Sequence, residues 1–125
     1  MREILFRGKR DDNLAWIEGY IYRITENQEM PFLMMKDYHG ITYPVYPDTV
    51  GQFTGLTDKN GTKIFEGDVV HMRTSGLSGH GEIVYKDGSF GIEDKKRNRF
   101  YYMYHDAIYR VEGNIHDNPE LMEGE

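Results

Sequence analysis

The sequence predicts a mostly β protein with little helix, and three observations support this prediction. The 125 residues include 14 glycines, 10 tyrosines, 6 phenylalanines and 1 tryptophan, a combination typical of short strands joined by tight turns. Apolar runs recur at spacings of about ten residues with glycine turns between them, as in small barrels and sandwiches. Segments with helical periodicity are almost absent.

The N-terminal half is predicted to begin with a hairpin. Apolar runs at residues 4–8 and 14–22 flank a polar stretch that contains Asp and Asn, and this pattern favours two antiparallel strands. Residues 25–29 are polar and are expected to form a turn, whereas residues 32–35 fit either a strand or a helical turn. Because Pro44 has no N–H to donate to a sheet, its segment is predicted to be an edge strand or an extended connection.

The C-terminal half shows a clearer alternation of strands and turns. Asn60-Gly61 and Asp87-Gly88 are expected in hairpin turns, and a type I′ turn needs positive φ at both central residues. A short helix is predicted at Asn118-Pro119, with Asn as the cap and Pro in the first turn. The expected strands in this half are residues 69–73, 81–86, 89–92, 100–104 and 108–113.

This spacing predicts an SH3-like small barrel at residues 61–118, preceded by an N-terminal β-rich region at residues 1–60. The chain is treated as a single protein, with a soft internal division near residues 58–67. No internal repeat and no low-complexity linker separates the two halves.

Composition excludes several classes of function. The chain contains no Cys, which removes disulfide frameworks, thiolate zinc sites and cysteine nucleophiles. No apolar run approaches the roughly 20 residues needed to span a bilayer, so we expect a cytoplasmic protein without a membrane partner. The net charge of −6 argues against non-specific binding to nucleic acid, although it leaves room for a local basic patch.

Motifs spread over nearly the whole chain carry a family resemblance. The most specific is the run Gly51-Gln52-Phe53-Thr54-Gly55-Leu56 followed by Phe65-Glu66-Gly67-Asp68-Val69. On these motifs the chain resembles the YopX family of phage and prophage proteins. The resemblance implies a mostly β chain with an SH3-like barrel in a bacterial host cell, and it makes oligomeric assembly plausible. It brings no catalytic residue and no cofactor.

A basic segment followed by aromatic residues is the sharpest functional signal. Cations neutralise phosphates and exposed rings stack on bases, so this segment is a candidate nucleic-acid contact. The alternative is a solvated turn that leads into an aromatic strand, and the adjacent Glu93-Asp94 and the acidic net charge favour this alternative. The residues of the candidate contact are Lys95, Lys96, Arg97, Arg99 and Tyr101.

Catalytic and metal sites are weakly supported. Glu66 and Asp68 flank Gly67, and such a pair can hold a cation or act as acid and base. The simpler interpretation, which we favour, is a glycine turn whose acids accept bonds from local backbone amides. The histidines show no ligand spacing, so no metal or cofactor is predicted. A hydrolase built on the two acids and a distant histidine is the least favoured function.

The function expected from the sequence is therefore that of a non-enzymatic accessory protein, which binds itself and a macromolecular partner. Phe53, Trp16 and Tyr102 are expected to lie outward and to be buried between copies of the chain. A nucleic-acid-binding module that uses residues 95–104 is the alternative. The partners left open are a second copy, a nucleic acid, and a host or phage protein.

Overall fold

The computed structural model describes residues 3–25 and 32–123, which are mostly β as predicted. A turn was expected at residues 25–29, and residues 26–29 lie outside the described residues. The chain divides into two units, the first ending at Phe53 and the second beginning at Thr54. This division precedes the expected one at residues 58–67, because Leu56 already packs against the core of the second unit, to which Ile64 belongs.

The first unit is an antiparallel sheet with the strand order β4-β3-β2-β1-β5. β4 lies at the edge of this sheet, in agreement with the prediction from Pro44. Buried Leu33, Met35 and Val45 form the core of the unit. Its elements are β1 (Phe6–Lys9), β2 (Trp16–Thr25), β3 (Phe32–Asp37), β4 (Thr42–Val45), a 3-10 helix (Pro47–Thr49) and the beginning of β5 (Gly51–Thr57).

The second unit contains an antiparallel sheet with the strand order β10-β9-β8-β7-β11. The four consecutive strands β7 to β10 form a meander, and β11 returns to lie beside β7. The end of β5 lies beside β6, where the Thr54 hydroxyl donates to the Ile64 carbonyl at 2.9 Å. The elements after β5 are β6 (Lys63–Phe65), β7 (Asp68–Arg73), β8 (Ser78–Lys86), β9 (Ser89–Asp94), β10 (Arg99–Tyr102), β11 (Ile108–Asn114) and α1 (Glu120–Glu123).

The strand pairing does not confirm the SH3-like barrel. β10 and β11 are the two edges of the sheet, and no pairing within residues 54–123 joins them into a closed barrel. The apolar pattern located the strands because it reports which residues are buried, but it does not report which edges pair. The core of this unit consists of Ile64, Val70, Met72, Ile83, Ile92 and Tyr109.

The two expected type I′ turns have different outcomes. Asp87 and Gly88 have φ values of +54° and +83°, so the type I′ prediction is confirmed there. At the first pair Gly61 has a φ of +83° whereas Asn60 has no positive φ, and the type I′ prediction is wrong. The Asp58 carboxylate organises this turn instead, because its Oδ1 accepts the backbone N–H groups of Asn60 and Thr62 at 2.8 and 3.0 Å.

Asp58 also joins this turn to a distant strand. Its Oδ2 accepts the N–H of Val111 on β11 at 3.1 Å, across 53 residues of sequence. The residue is only 7% exposed. Burial raises the pKa of Asp58, but the backbone N–H groups of Val111, Thr62 and Asn60 outweigh burial, so this pKa lies below its usual value.

Candidate functional site

The basic segment forms the turn between β9 and β10. Asp94, at the end of β9, is 7% exposed, and its two carboxylate oxygens accept the Arg97 backbone N–H at 3.2 Å and the Arg97 Nη1 at 3.0 Å. Asn98 has a φ of +51°, a left-handed conformation that Asn adopts more readily than most residues. This turn therefore holds Lys95 and Lys96 out in solvent.

The charges of the turn are balanced only in part. Burial raises the pKa of Asp94, but the hydrogen bonds and positive charge of Arg97 outweigh burial, so the pKa lies below its usual value and the pair stays ionised near neutral pH. Lys95 Nζ lies 4.0 Å from Glu93 Oε1, and the Lys95 side chain is 72% exposed. In the described part of the chain, no carboxylate lies within 4.0 Å of Lys96 or Arg99.

A cavity of about 320 Å³ lies beside the turn. Its polar side is formed by the turn together with His80 and Glu82 of β8, and its apolar side comes from the C-terminal segment, which contributes Leu121 and Met122. Burial raises the pKa of Glu82 above its usual value, and Lys95 offsets part of this rise. Glu82 therefore carries less negative charge than an exposed glutamate as the pH falls.

Strand pairing aligns polar side chains on the face of the second sheet that leads to this turn. His71 of β7 pairs with His80 of β8 on one side and with Arg110 of β11 on the other. Glu112, which lies at a β-bulge in β11, connects two of them: its Oε1 is 2.8 Å from His80 Nε2, and its Oε2 accepts Arg110 Nη2 at 3.2 Å. His71 Nε2 lies 3.0 Å from the Ser78 hydroxyl.

Tyr101 is placed differently from the other residues of the candidate nucleic-acid contact. Its side chain packs against the core of the second unit. A Cβ at Gly79 would lie 2.9 Å from the Tyr101 ring, so this close approach depends on glycine. The Tyr101 ring is therefore partly buried by contacts within the unit and lines a cavity with His71 and His80, whereas Lys95, Lys96 and Arg99 are exposed.

The residues expected in self-association fall into three environments. Phe53 is only 8% exposed, so the expectation that it lies outward is wrong: alternate residues of β5 face inward, and Phe53 shares the buried side with Gly51. Trp16 is half-buried, with the Arg7 guanidinium 4.6 Å from its ring centroid. Tyr102 is 57% exposed, and its ring meets Phe100 edge-on at 5.3 Å.

The paired acids have the geometry of a turn. Asp68 is 2% exposed, and its Oδ2 accepts the Phe65 N–H at 2.8 Å, while Gly67 supplies a φ of +91°. Asp68 does not line the cavity beside the β9–β10 turn. No group of three or more His, Cys, Asp or Glu residues within residues 3–25 and 32–123 has the arrangement of a metal site.

Comparison with known proteins decides the family. The family model described as YopX protein matches residues 5–123. The chain belongs to the YopX family. A crystal structure of protein EF1440 from Enterococcus faecalis is similar to it, with 24% identity, coverage of 98% of this chain and 99% of that chain, and a TM-score of 0.51. This likeness supports the fold alone. No curated protein matches the sequence.

Within this YopX-family chain, the most specific family motif and the candidate site occupy different segments. The motif covers β5 and the turn into β7, whereas the site lies on β8, β11 and the β9–β10 turn. The alignment of His71, His80 and Arg110 was not predictable from the sequence, because loop lengths alone do not set the register of β7 against both neighbours. No helix among the described residues is long and apolar enough to cross a membrane.

Proposed function

We propose that this YopX-family chain is a non-enzymatic phage or prophage accessory protein that acts by binding nucleic acid through its β9–β10 turn. The observation that carries the proposal is the fixed backbone conformation of this turn, which leaves its lysines exposed. Asp94 and Asn98 fix the backbone, and Lys95 and Lys96 are presented together to solvent. Exposed cations on a fixed loop neutralise phosphates and release their counterions.

The acidic net charge of the chain does not oppose this function locally. Asp94 is engaged by Arg97 inside the turn, so it cancels one cation and leaves the others. Charges farther away than about 10 Å are screened at 0.1 M salt. A phosphate at Lys96 therefore experiences mainly the nearby lysines and Arg99, opposed by the Glu93 carboxylate that lies 4.0 Å from Lys95.

Reversing the charge of the turn is expected to abolish most of the binding. In Lys95→Glu with Lys96→Glu, affinity for a labelled 20-nucleotide oligothymidylate at low salt should fall about tenfold or more, because two phosphate contacts become repulsive. Fluorescence anisotropy in 20 mM and 200 mM salt measures the affinity and its salt dependence.

The matched control is Arg23→Glu with Lys86→Glu, which changes the net charge equally at two exposed positions outside the site. Its affinity should stay within about twofold of wild type, since neither residue is expected to contact a phosphate. If the wild-type chain does not bind in 20 mM salt, or if both variants lose affinity equally, the proposal is wrong.

Self-association is a second candidate function, and Tyr102 favours it. This residue is 57% exposed and lies on β10, an edge strand of the second sheet. Edge strands offer unpaired backbone groups to a neighbouring chain. Light scattering behind size exclusion at micromolar concentration should give a species heavier than the 14.7 kDa monomer, and Tyr102→Ser should shift it towards the monomer. A wild-type monomer would contradict this candidate.

We also propose an SH3-like arrangement of the second unit, a location and an additional partner. The four-strand meander from β7 to β10, with β11 returning beside β7, is compatible with an SH3-like arrangement of residues 61–118. The cytoplasm of a bacterial host is the proposed location, because a phage or prophage accessory protein that binds nucleic acid works where that nucleic acid is found. A host or phage protein is an additional proposed partner.

A further inference from the structure

Three cavities of the second unit adjoin one another. The cavity beside the β9–β10 turn shares His80, Asp94 and Arg97 with a second cavity of about 360 Å³. This second cavity shares His71 with a third cavity of about 120 Å³, to which Lys59, Arg73 and Arg110 contribute. We call this row of neighbouring cavities the basic groove, and its cationic residues are Lys59, Arg73, Arg110, Lys95, Lys96 and Arg97.

The strand registers place His71, His80 and the two arginines Arg73 and Arg110 on one face of the sheet. His71 pairs with both Arg110 and His80, and Arg73 follows His71 by two residues, so these side chains share a face. Glu93, on the same face of β9, lies beside Lys95. From β11 across β7 and β8 to β9, three strand spacings of about 4.8 Å give a width near 14 Å.

The balance of charge in the basic groove is opposite to that of the whole chain. Six cations line it against the carboxylates of Glu82 and Asp94, with Glu112 between Arg110 and His80 and Glu93 beside Lys95. Two of these four carboxylates are engaged by arginines within the groove. The net positive charge of the groove stands against a net charge of −6 for the chain, so it fits a polyanion.

We propose that the nucleic-acid contact extends from the β9–β10 turn along the basic groove to Lys59, Arg73 and Arg110. This inference rests on the proposed function and adds a path for the phosphate backbone. A width of about 14 Å is enough for more than one phosphate of the same strand to contact the groove at once. Six cations line the groove, whereas Tyr101 is the single tyrosine among the described residues that line its second cavity. Because phosphate contacts carry no sequence information directly, we expect recognition that is independent of base sequence.

Neutralising the far end of the basic groove separates this inference from the proposed function. The test variant is Arg73→Gln with Arg110→Gln, at two exposed positions, and it leaves the β9–β10 turn intact. Its affinity for the labelled 20-nucleotide oligothymidylate in 20 mM salt should fall about tenfold, and the slope of log affinity against log salt should decrease by about 1.4, which corresponds to two phosphate contacts on a single strand.

The control Arg23→Glu with Lys86→Glu and a thermal melt of each variant accompany this measurement. The inference is overturned if Arg73→Gln with Arg110→Gln binds like wild type while Lys95→Glu with Lys96→Glu loses affinity; in that case the turn alone makes the contact and the proposed function stands. An absence of wild-type binding overturns both. If the Arg110 change lowers thermal stability, Arg73→Gln with Lys59→Gln repeats the test without disturbing the Glu112 contacts.

Discussion

Asp58→Ala is expected to lower the free energy of unfolding by about 3 kcal/mol, because it leaves three backbone N–H groups without their acceptor in a largely buried site. Two of these groups belong to the turn itself, and the third belongs to Val111 on β11. Urea denaturation followed by tryptophan fluorescence and far-ultraviolet circular dichroism measures the loss. The chain offers a matched control within its first unit.

Asp37 closes a turn of the same kind without the distant bond. Its Oδ1 accepts the N–H groups of His39 and Ile41, both at 3.0 Å, and Gly40 has the same φ of +83° as Gly61. Because this turn is exposed, Asp37→Ala should cost about 1 kcal/mol. Equal losses in the two variants would show that the bond to Val111 does not contribute to stability.

The comparison of wild type with Asp58→Ala also has an expected pH dependence. The pKa of Asp58 is lowered in the folded chain, so the carboxylate stabilises the fold above its unfolded pKa of about 3.9, and this stabilisation disappears as the pH falls through the lower folded pKa. The difference in stability between wild type and Asp58→Ala should therefore be constant above about pH 5 and shrink below about pH 4. A difference that grows on acidification would contradict this assignment.

Gly81→Ala is expected to destabilise the fold by an amount similar to that expected for Asp58→Ala. A Cβ at this position of β8 would overlap the carbonyl oxygen of Glu93, and a backbone group of a paired strand cannot move away as a flexible side chain can. We expect a loss of about 3 kcal/mol in the free energy of unfolding, the upper part of the usual range for overpacking. Because the displaced backbone leads directly into Asp94, binding at the β9–β10 turn should weaken as well.

Gly76→Ala is the control for this substitution. Gly76 lies in the loop between β7 and β8, and nothing would lie within 4 Å of a Cβ there. Its effect should stay within about 0.5 kcal/mol, as for most exposed substitutions. If Gly81→Ala is tolerated equally well in urea denaturation, the close approach of β8 and β9 at this position is not required by the fold.

Much of the fold was predictable, because strands and turns leave local signals. Pro44 marked an edge strand, and Asp87-Gly88 marked a type I′ turn. Asn60-Gly61 was misjudged because the side chain of Asp58, two residues before Asn60, supplies the acceptor that selects another turn. A dipeptide rule does not include such a neighbour. Burial of Phe53 was also missed, because both faces of β5 carry polar and apolar residues.

The candidate site was predictable only at the β9–β10 turn. Its cations are consecutive in sequence, so composition alone revealed them. Arg73 and Arg110 lie on strands that are far apart in sequence, and only the pairing of β7 with β11 brings them together. Such pairing depends on long-range packing, which a single sequence does not report.

The hydrogen bond between Asp58 and Val111 has a consequence for how the chain folds as it is made. β7 also needs β11 as a neighbour, so both the turn at Asp58 and β7 depend on a strand that leaves the ribosome after them. Contacts between distant positions form slowly, since the intervening loop must close first. The nascent second unit is therefore incomplete until β11 emerges, and a chain that terminates before residue 108 lacks the strand that completes its sheet.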